Sequence, residues 1–185
     1  MFAKMYPFLV HLRLKQKNSK MSLKNLLTFS FFAFVLFSFS AHESKPFPEL
    51  DIKSVDGKVV STNSFTKNEK ITIVSFWATW CTPCKRELDA IHEVYEDWVT
   101  DYNIQLVAIT IDDARGLTKV PAIVQSKGWE FTVLADSKQE LMQTLNFQTI
   151  PQTFLLDKIG NIVYTHSGYN PGDEIKLEEE IKKLQ

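Results

Sequence analysis

The chain has 185 residues, 44% of them hydrophobic, which suffices for one domain of ordinary size with its own core. It contains only two cysteines, three positions apart, so a scaffold built on several disulfides is excluded. Residues 41–185 contain 15 basic and 22 acidic residues, a formal charge of −7, and this acidic balance argues against nucleic acid as a partner.

The N-terminal segment is predicted to direct export. Residues 1–40 contain six basic residues and no acid, and residues 26–39 form an uncharged apolar run. Residues 38–40, Ser-Phe-Ser, supply the small-x-small pattern of a signal-peptidase site, with cleavage before Ala41. The run is shorter than the ~20 residues of a usual spanning helix, but an uncleaved membrane anchor stays open as an alternative.

A second possible start bears on where the N-terminal segment begins. Met21 offers a second start, followed by a shorter basic leader. We therefore predict a basic region with a signal peptide or membrane anchor at residues 1–41, and one folded domain at residues 42–185.

The folded domain is predicted to begin with a β-hairpin and a buried strand. Residues 49–61 read as a hairpin that turns at Asp56-Gly57, because these residue types tolerate positive φ. Ile71–Trp77 (ITIVSFW) is a nearly continuous apolar run, typical of a strand buried on both faces of a sheet. A helix is predicted over residues 84–99, and its apolar stripe consists of Leu88, Ile91, Tyr95 and Trp98.

Strands and helices alternate through the rest of the chain. Strands are predicted over residues 104–111, 131–135, 153–157 and 161–167, and helices over residues 118–127, over residues 137–146 and from Asp173 onward. We expect Ser137 and Glu140 to form a capping box, and Asp173 to cap the last helix. This order predicts an α/β fold with a central mixed β-sheet and helices on both faces, extended by the N-terminal hairpin.

The chemistry of the chain is expected at Trp80-Cys81-Thr82-Pro83-Cys84, directly after the buried strand. A cysteine at a helix N-terminus faces unpaired N–H groups and the positive end of the helix dipole, which favour the thiolate. Two intervening residues bring the second sulfur close enough to displace a bound partner through a mixed disulfide. We therefore predict a redox-active pair in which the sulfur of Cys81 is exposed.

Other readings of the two cysteines have less support. A structural disulfide would close a very short loop and would not need the strand-to-helix position. A zinc site normally takes four ligands, and His42, His92 and His166 are scattered along the chain. The Pro-x-x-x-Thr-x-x-Cys pattern of peroxiredoxins is absent.

The segment at residues 75–87, SFWATWCTPCKRE, resembles the active-site segment of the TlpA/ResA branch of thioredoxin-like proteins. The resemblance extends to residues 149–157, TIPQTFLLD, and then to Gly160. That branch contains exported thiol-disulfide oxidoreductases, including proteins that reduce apocytochrome c. The resemblance therefore implies a thioredoxin-like fold and an enzyme that exchanges disulfides.

The resemblance also implies a role for each residue of the site. Cys81 is the nucleophile and Cys84 the resolving thiol, and together they form the redox disulfide. Glu87 matches an acidic residue that shifts the thiol pKa values and shuttles protons to Cys84. The substrate-binding residues implied by the family are Trp80, Thr82, Pro83, Ile150 and Pro151, with Pro151 in the cis form.

Ser75 departs from the pattern of cytoplasmic thioredoxins, and His166 allows a second interpretation of the site. Those proteins bear an acidic residue where this chain has Ser75, so proton transfer is expected to fall to Glu87. His166 lies in a predicted strand, and it leaves open a copper-binding chaperone of the same fold that would use Cys81, Cys84 and His166. A general disulfide oxidant is the third alternative.

The resemblance implies a location and partners as well. We expect a protein of the periplasm or cell envelope, anchored if residues 26–39 are retained, whose substrates are disulfide-containing envelope proteins. A membrane thiol reductase is the expected electron donor. No cofactor and no metal are expected for disulfide reduction.

Overall fold

The structure is a computed structural model that describes residues 45–185. Its strands are β1 (Lys45–Pro46), β2 (Asp51–Ser54), β3 (Val59–Ser61), β4 (Ile71–Trp77), β5 (Ile104–Thr110), β6 (Thr132–Ala135), β7 (Gln152–Leu156) and β8 (Asn161–Ser167). Its helices are α1 (Asn63–Thr66), α2 (Thr82–Tyr102), α3 (Ala114–Leu117), α4 (Val120–Lys127), α5 (Glu140–Thr144) and α6 (Asp173–Lys182).

All eight strands form one mixed sheet in the order β1-β8-β7-β4-β5-β6-β2-β3. Strand β4 pairs in parallel with β5, and β5 with β6, whereas the other pairs are antiparallel. The predicted hairpin is present as β2–β3 and lies at one edge of the sheet, next to β6. The mixed sheet predicted from the order of elements is thus confirmed.

Strand β4 runs through the centre of the core, and its position explains its apolar sequence. All seven of its residues are buried, since β5 and β7 pair with it on either side. Helix α2 buries the stripe of Leu88, Ile91 and Trp98. The helix is longer than predicted because it begins at Thr82, directly after the active-site turn, and continues to Asn103, which ends it in the left-handed conformation at φ 51°.

Two predicted helix caps are wrong. The carboxylate of Asp136 accepts from the backbone N–H groups of Glu140 (2.8 Å) and Met142 (3.0 Å), so Asp136 does at the start of α5 what Ser137 was expected to do. Asp173 is the first residue of α6 and not its cap, because Gly172 precedes it with φ 99°. The short helices α1 and α3 were not predicted.

The predicted targeting segment, residues 1–41, lies outside the described residues. Among residues 45–185, no helix is both long and apolar enough to cross a membrane.

Candidate active site

The two cysteines lie where β4 gives way to α2. Cys81 is the N-cap of the helix, and Pro83 lies in its first turn, where no N–H donor is needed. Cys81 and Cys84 form a disulfide with an S–S distance of 1.97 Å and a Cα–Cα distance of 5.4 Å. The sulfur of Cys81 also accepts from the backbone N–H of Cys84 at 3.3 Å. A donor and the helix dipole therefore both face the first sulfur.

The two cysteines are both buried in the disulfide form, Cys84 more completely than Cys81. Cys81 is 4% exposed and Cys84 is fully buried, so the expectation of an exposed Cys81 is wrong for the disulfide form. Trp80, the residue before the pair, is 68% exposed. Cys81 remains the more accessible member of the pair, beside a projecting apolar side chain.

A cis-proline lies against the cysteine pair, as predicted. The Ile150-Pro151 peptide bond is cis, and it immediately precedes β7. The carbonyl oxygen of Ile150 lies 3.9 Å from Sγ of Cys81. A chain lying along Ile150 would therefore pass next to the first sulfur.

A buried carboxylate holds the turn that leads into the pair, and the sequence analysis missed it. Asp112, 2% exposed, accepts from the backbone N–H of Thr79 at 2.7 Å and from its hydroxyl at 2.8 Å. The hydroxyl of Thr110 donates to the same carboxylate at 2.6 Å. An aspartate two residues after a buried strand was the only sequence signal for this anchor.

Gly116→Ala is expected to lower the free energy of unfolding by about 1–3 kcal/mol, the usual cost of overpacking. A Cβ atom at Gly116 would lie 2.7 Å from Cβ of the buried Asp112, so the aspartate would have to move. Urea denaturation of the oxidised protein measures the change, with the exposed Lys119→Ala as control. Equal free energies of unfolding for the two variants would show that Asp112 can move away from the new Cβ atom without loss of stability.

Glu87 lies one turn after Cys84 on α2 and is buried beneath the pair, 5% exposed. Two buried hydroxyls hold its carboxylate: Ser75 donates to Oε2 at 2.9 Å, and Thr153 donates to Oε1 at 2.8 Å. Burial raises the pKa of Glu87 from 4.5 to about 7, against the two hydroxyls that lower it, and the charge of Asp173 raises it further. The carboxyl can therefore take up or release a proton near neutral pH.

His166 does not join the cysteines. It lies on β8, where Nε2 is 3.1 Å from Oδ2 of Asp173. Within residues 45–185 no three side chains of the metal-binding types come together as a metal site. The copper-binding alternative, which needs Cys81, Cys84 and His166 together, thus receives no support from the geometry.

A disulfide at a strand-to-helix junction, a facing cis-proline and a mixed sheet define this chain as a thioredoxin-like protein with a redox-active cysteine pair. The model of the AhpC/TSA family matches residues 44–165, and the chain belongs to that family.

Three relatives agree with this assignment. Sporulation thiol-disulfide oxidoreductase A of Bacillus subtilis is 31% identical over 126 residues, 68% of this chain and 74% of that protein. The thiol-disulfide oxidoreductase ResA of Bacillus thuringiensis is 26% identical over 140 residues, 76% of this chain and 77% of that protein. The solution structure of a thioredoxin-like protein from Porphyromonas gingivalis matches with a TM-score of 0.67 and 38% identity, over 77% of this chain and 94% of that one. The chain is accordingly a thiol-disulfide oxidoreductase.

Proposed function

We propose that this oxidoreductase is exported and reduces disulfides of proteins in the cell envelope, with apocytochrome c among the candidate substrates. The observation that carries the proposal is the Cys81–Cys84 disulfide at the start of α2, with the buried carboxylate of Glu87 beneath it. Export is supported by the basic and apolar N-terminal segment, and the direction of reaction by the family.

Cys81 begins the reaction. Its thiolate is stabilised by the N–H of Cys84 and by the helix dipole, and it attacks one sulfur of the substrate disulfide. A mixed disulfide forms between Cys81 and the substrate, and the other substrate sulfur leaves as a thiolate.

Cys84 completes the reaction with the help of Glu87. The thiol of Cys84 loses its proton to the carboxylate of Glu87, and the resulting thiolate attacks Sγ of Cys81. The second substrate thiolate leaves and the Cys81–Cys84 disulfide closes. Since Cys84 is fully buried, an outside disulfide meets Cys81 first.

The substrate is proposed to bind as an extended segment across the face of the site. The backbone of Ile150 lies beside Cys81 and would pair with the segment by strand addition, while Pro151 would shape the groove. Trp80 and Thr82 are exposed and Pro83 is partly exposed next to the same sulfur, so they would contact its side chains. A membrane thiol reductase would return the pair to the dithiol form, and residues 26–39 would hold the protein at the membrane if they are not cleaved.

The reduction potential tests the direction of the reaction. A strong oxidant of this fold stabilises its thiolate, whereas the charge of a carboxylate beneath the pair disfavours one. Thioredoxin has a reduction potential of about −270 mV and the oxidant DsbA one of about −120 mV. We therefore expect the potential of this protein to lie nearer the value of thioredoxin. Equilibration of the purified protein with thiol buffers of known potential gives the value, and a result near the second figure would assign the oxidant role instead.

A further inference from the structure

Because Glu87 is buried, its carboxyl group needs a way to exchange its proton with solvent. A carboxyl group that is protonated cannot accept the proton of Cys84, so Glu87 has to release its own proton to solvent first. The side chain is 5% exposed, and the cysteine pair lies above it. The proton therefore needs a path from the buried carboxyl group to solvent.

A small cavity lies beside Glu87, and neither cysteine forms part of its wall. It measures about 10 Å³, close to the smallest space that holds one water molecule, and Glu87 and Thr153 form part of its wall. The rest of the wall consists of Ile91, Tyr164, His166, Tyr169, Asp173, Glu174 and Leu177. Seven of these nine residues have a polar side chain that could serve as a hydrogen-bond partner of an internal water.

We propose that His166 carries protons between Glu87 and solvent through this cavity; the inference rests on the proposed function, in which Glu87 accepts the proton of Cys84. Thr153 and His166 are directly opposed in the β7–β8 pairing, so their side chains lie on the same face of the sheet. The hydroxyl of Thr153 contacts Glu87 at 2.8 Å, and this places the imidazole one side chain away from the carboxyl group.

The proton moves in three balanced steps. Glu87 would give its proton to a water molecule held in the cavity, and that water would pass one of its protons to the imidazole of His166. The imidazolium then loses a proton to bulk solvent, which it reaches because the His166 side chain is 25% exposed. An imidazole suits this work because it both accepts and donates protons near neutral pH.

Charged and titratable groups from every neighbouring element face this route. From α6, Asp173 contacts His166 at 3.1 Å, and Lys176 forms an ion pair with the Asp173 carboxylate at 2.8 Å. Glu174 lines the cavity from the same helix, and its carboxylate accepts from the hydroxyl of Tyr169 at 3.2 Å. On β8, Tyr164 stacks on His166 with an interplanar angle of 4°. The carboxylate of Asp173 therefore holds the imidazole in place beside the cavity.

The test is a single turnover at two pH values. The reduced protein is mixed with an excess of a disulfide-containing peptide, and the release step is followed by stopped-flow fluorescence. At pH 6 the pKa of about 7 keeps most of Glu87 protonated, so release waits for proton exit, whereas at pH 8 most of Glu87 is already ionised. His166→Gln should slow release roughly tenfold at pH 6 and less than twofold at pH 8. The effect at pH 6 is smaller than that of losing an acid–base group directly, because His166 acts through Glu87.

Three further measurements separate proton transfer from a structural effect. Added imidazole should restore the rate of His166→Gln at pH 6, and His92→Gln, a histidine outside the cavity wall, should behave as the wild type. In a Glu87→Gln background, His166→Gln should cause no additional slowing. Equal slowing at both pH values, no slowing at all, or no response to imidazole would each overturn the relay. A wild-type protein that fails to reduce the peptide would instead overturn the proposed function.

Discussion

Cys84→Ala is expected to accumulate a covalent complex with its substrate, whereas Cys81→Ala is expected to form none. In the first variant Cys81 still attacks, because its position at the start of α2 and the helix dipole are unchanged. The mixed disulfide then persists, since the sulfur that would resolve it has been removed. In the second variant the remaining thiol is fully buried and meets no substrate. Turnover should fall to background in both variants.

Non-reducing electrophoresis after mixing each reduced variant with a disulfide-containing protein measures the trapped complex. Ser126→Ala, an exposed position on α4, serves as a control that should turn over normally. Equal trapping by both cysteine variants, or trapping by Cys81→Ala alone, would contradict the assignment of nucleophile and resolving thiol.

The features that sequence predicted well are those encoded in contiguous residues. The apolar run at Ile71–Trp77 identified the central strand because it is buried on both faces, and a strand of that kind has little choice of side chain. The Cys-x-x-Cys pair after it located the site, and the family resemblance supplied the cis-proline at Pro151. Each of these follows from a stretch of fewer than ten residues.

The features that sequence missed depend on contacts between distant residues. Ser75, Glu87 and Thr153 come from β4, α2 and β7, and their hydrogen bonds span 12 and 66 positions. Sequence indicated Glu87 but could not show the two hydroxyls that hold it, because sheet register decides which side chains meet. Cytoplasmic thioredoxins have an acidic residue at the position of Ser75. The structure gives this difference a physical meaning, because the Ser75 hydroxyl donates a hydrogen bond to the carboxylate of Glu87.

The helix caps failed for a related reason. A spacing rule names a residue that can cap, but another side chain nearby can reach the same donors. At α5 the carboxylate of Asp136 accepts from the N–H groups of Glu140 and Met142. The hydrogen bond that Ser137 was expected to accept from Glu140 is therefore made by Asp136. At α6 Gly172 takes the capping position, and the carboxylate of Asp173 contacts the backbone N–H of Asn170 and the imidazole of His166 instead. Local patterns therefore located the helices better than they located their first residues.

Glu87→Gln is expected to remove a large pH dependence of stability. In the folded protein the pKa of Glu87 is about 7, against a usual value of 4.5, because burial disfavours the charged form. Between these two pH values the folded state holds a proton that the unfolded state has lost, so the free energy of unfolding falls as the pH rises. The fall is complete above about pH 7 and is on the order of 3 kcal/mol.

The oxidised protein isolates this effect, since its cysteines do not titrate. Urea denaturation between pH 4.5 and 8 should show wild-type stability declining relative to that of Glu87→Gln, whose amide stays neutral and can keep both hydroxyl contacts. Glu96→Gln, at an exposed position of α2, should follow the wild type. In the reduced protein the same Glu87→Gln variant should titrate its thiols at lower pH, because a like charge beneath them has gone. If Glu87→Gln kept the wild-type dependence of unfolding free energy on pH and the wild-type thiol titration, Glu87 would not be the proton acceptor of the cysteines. A carboxylate in that role has to destabilise the folded state when it ionises and has to alter the titration of the thiols.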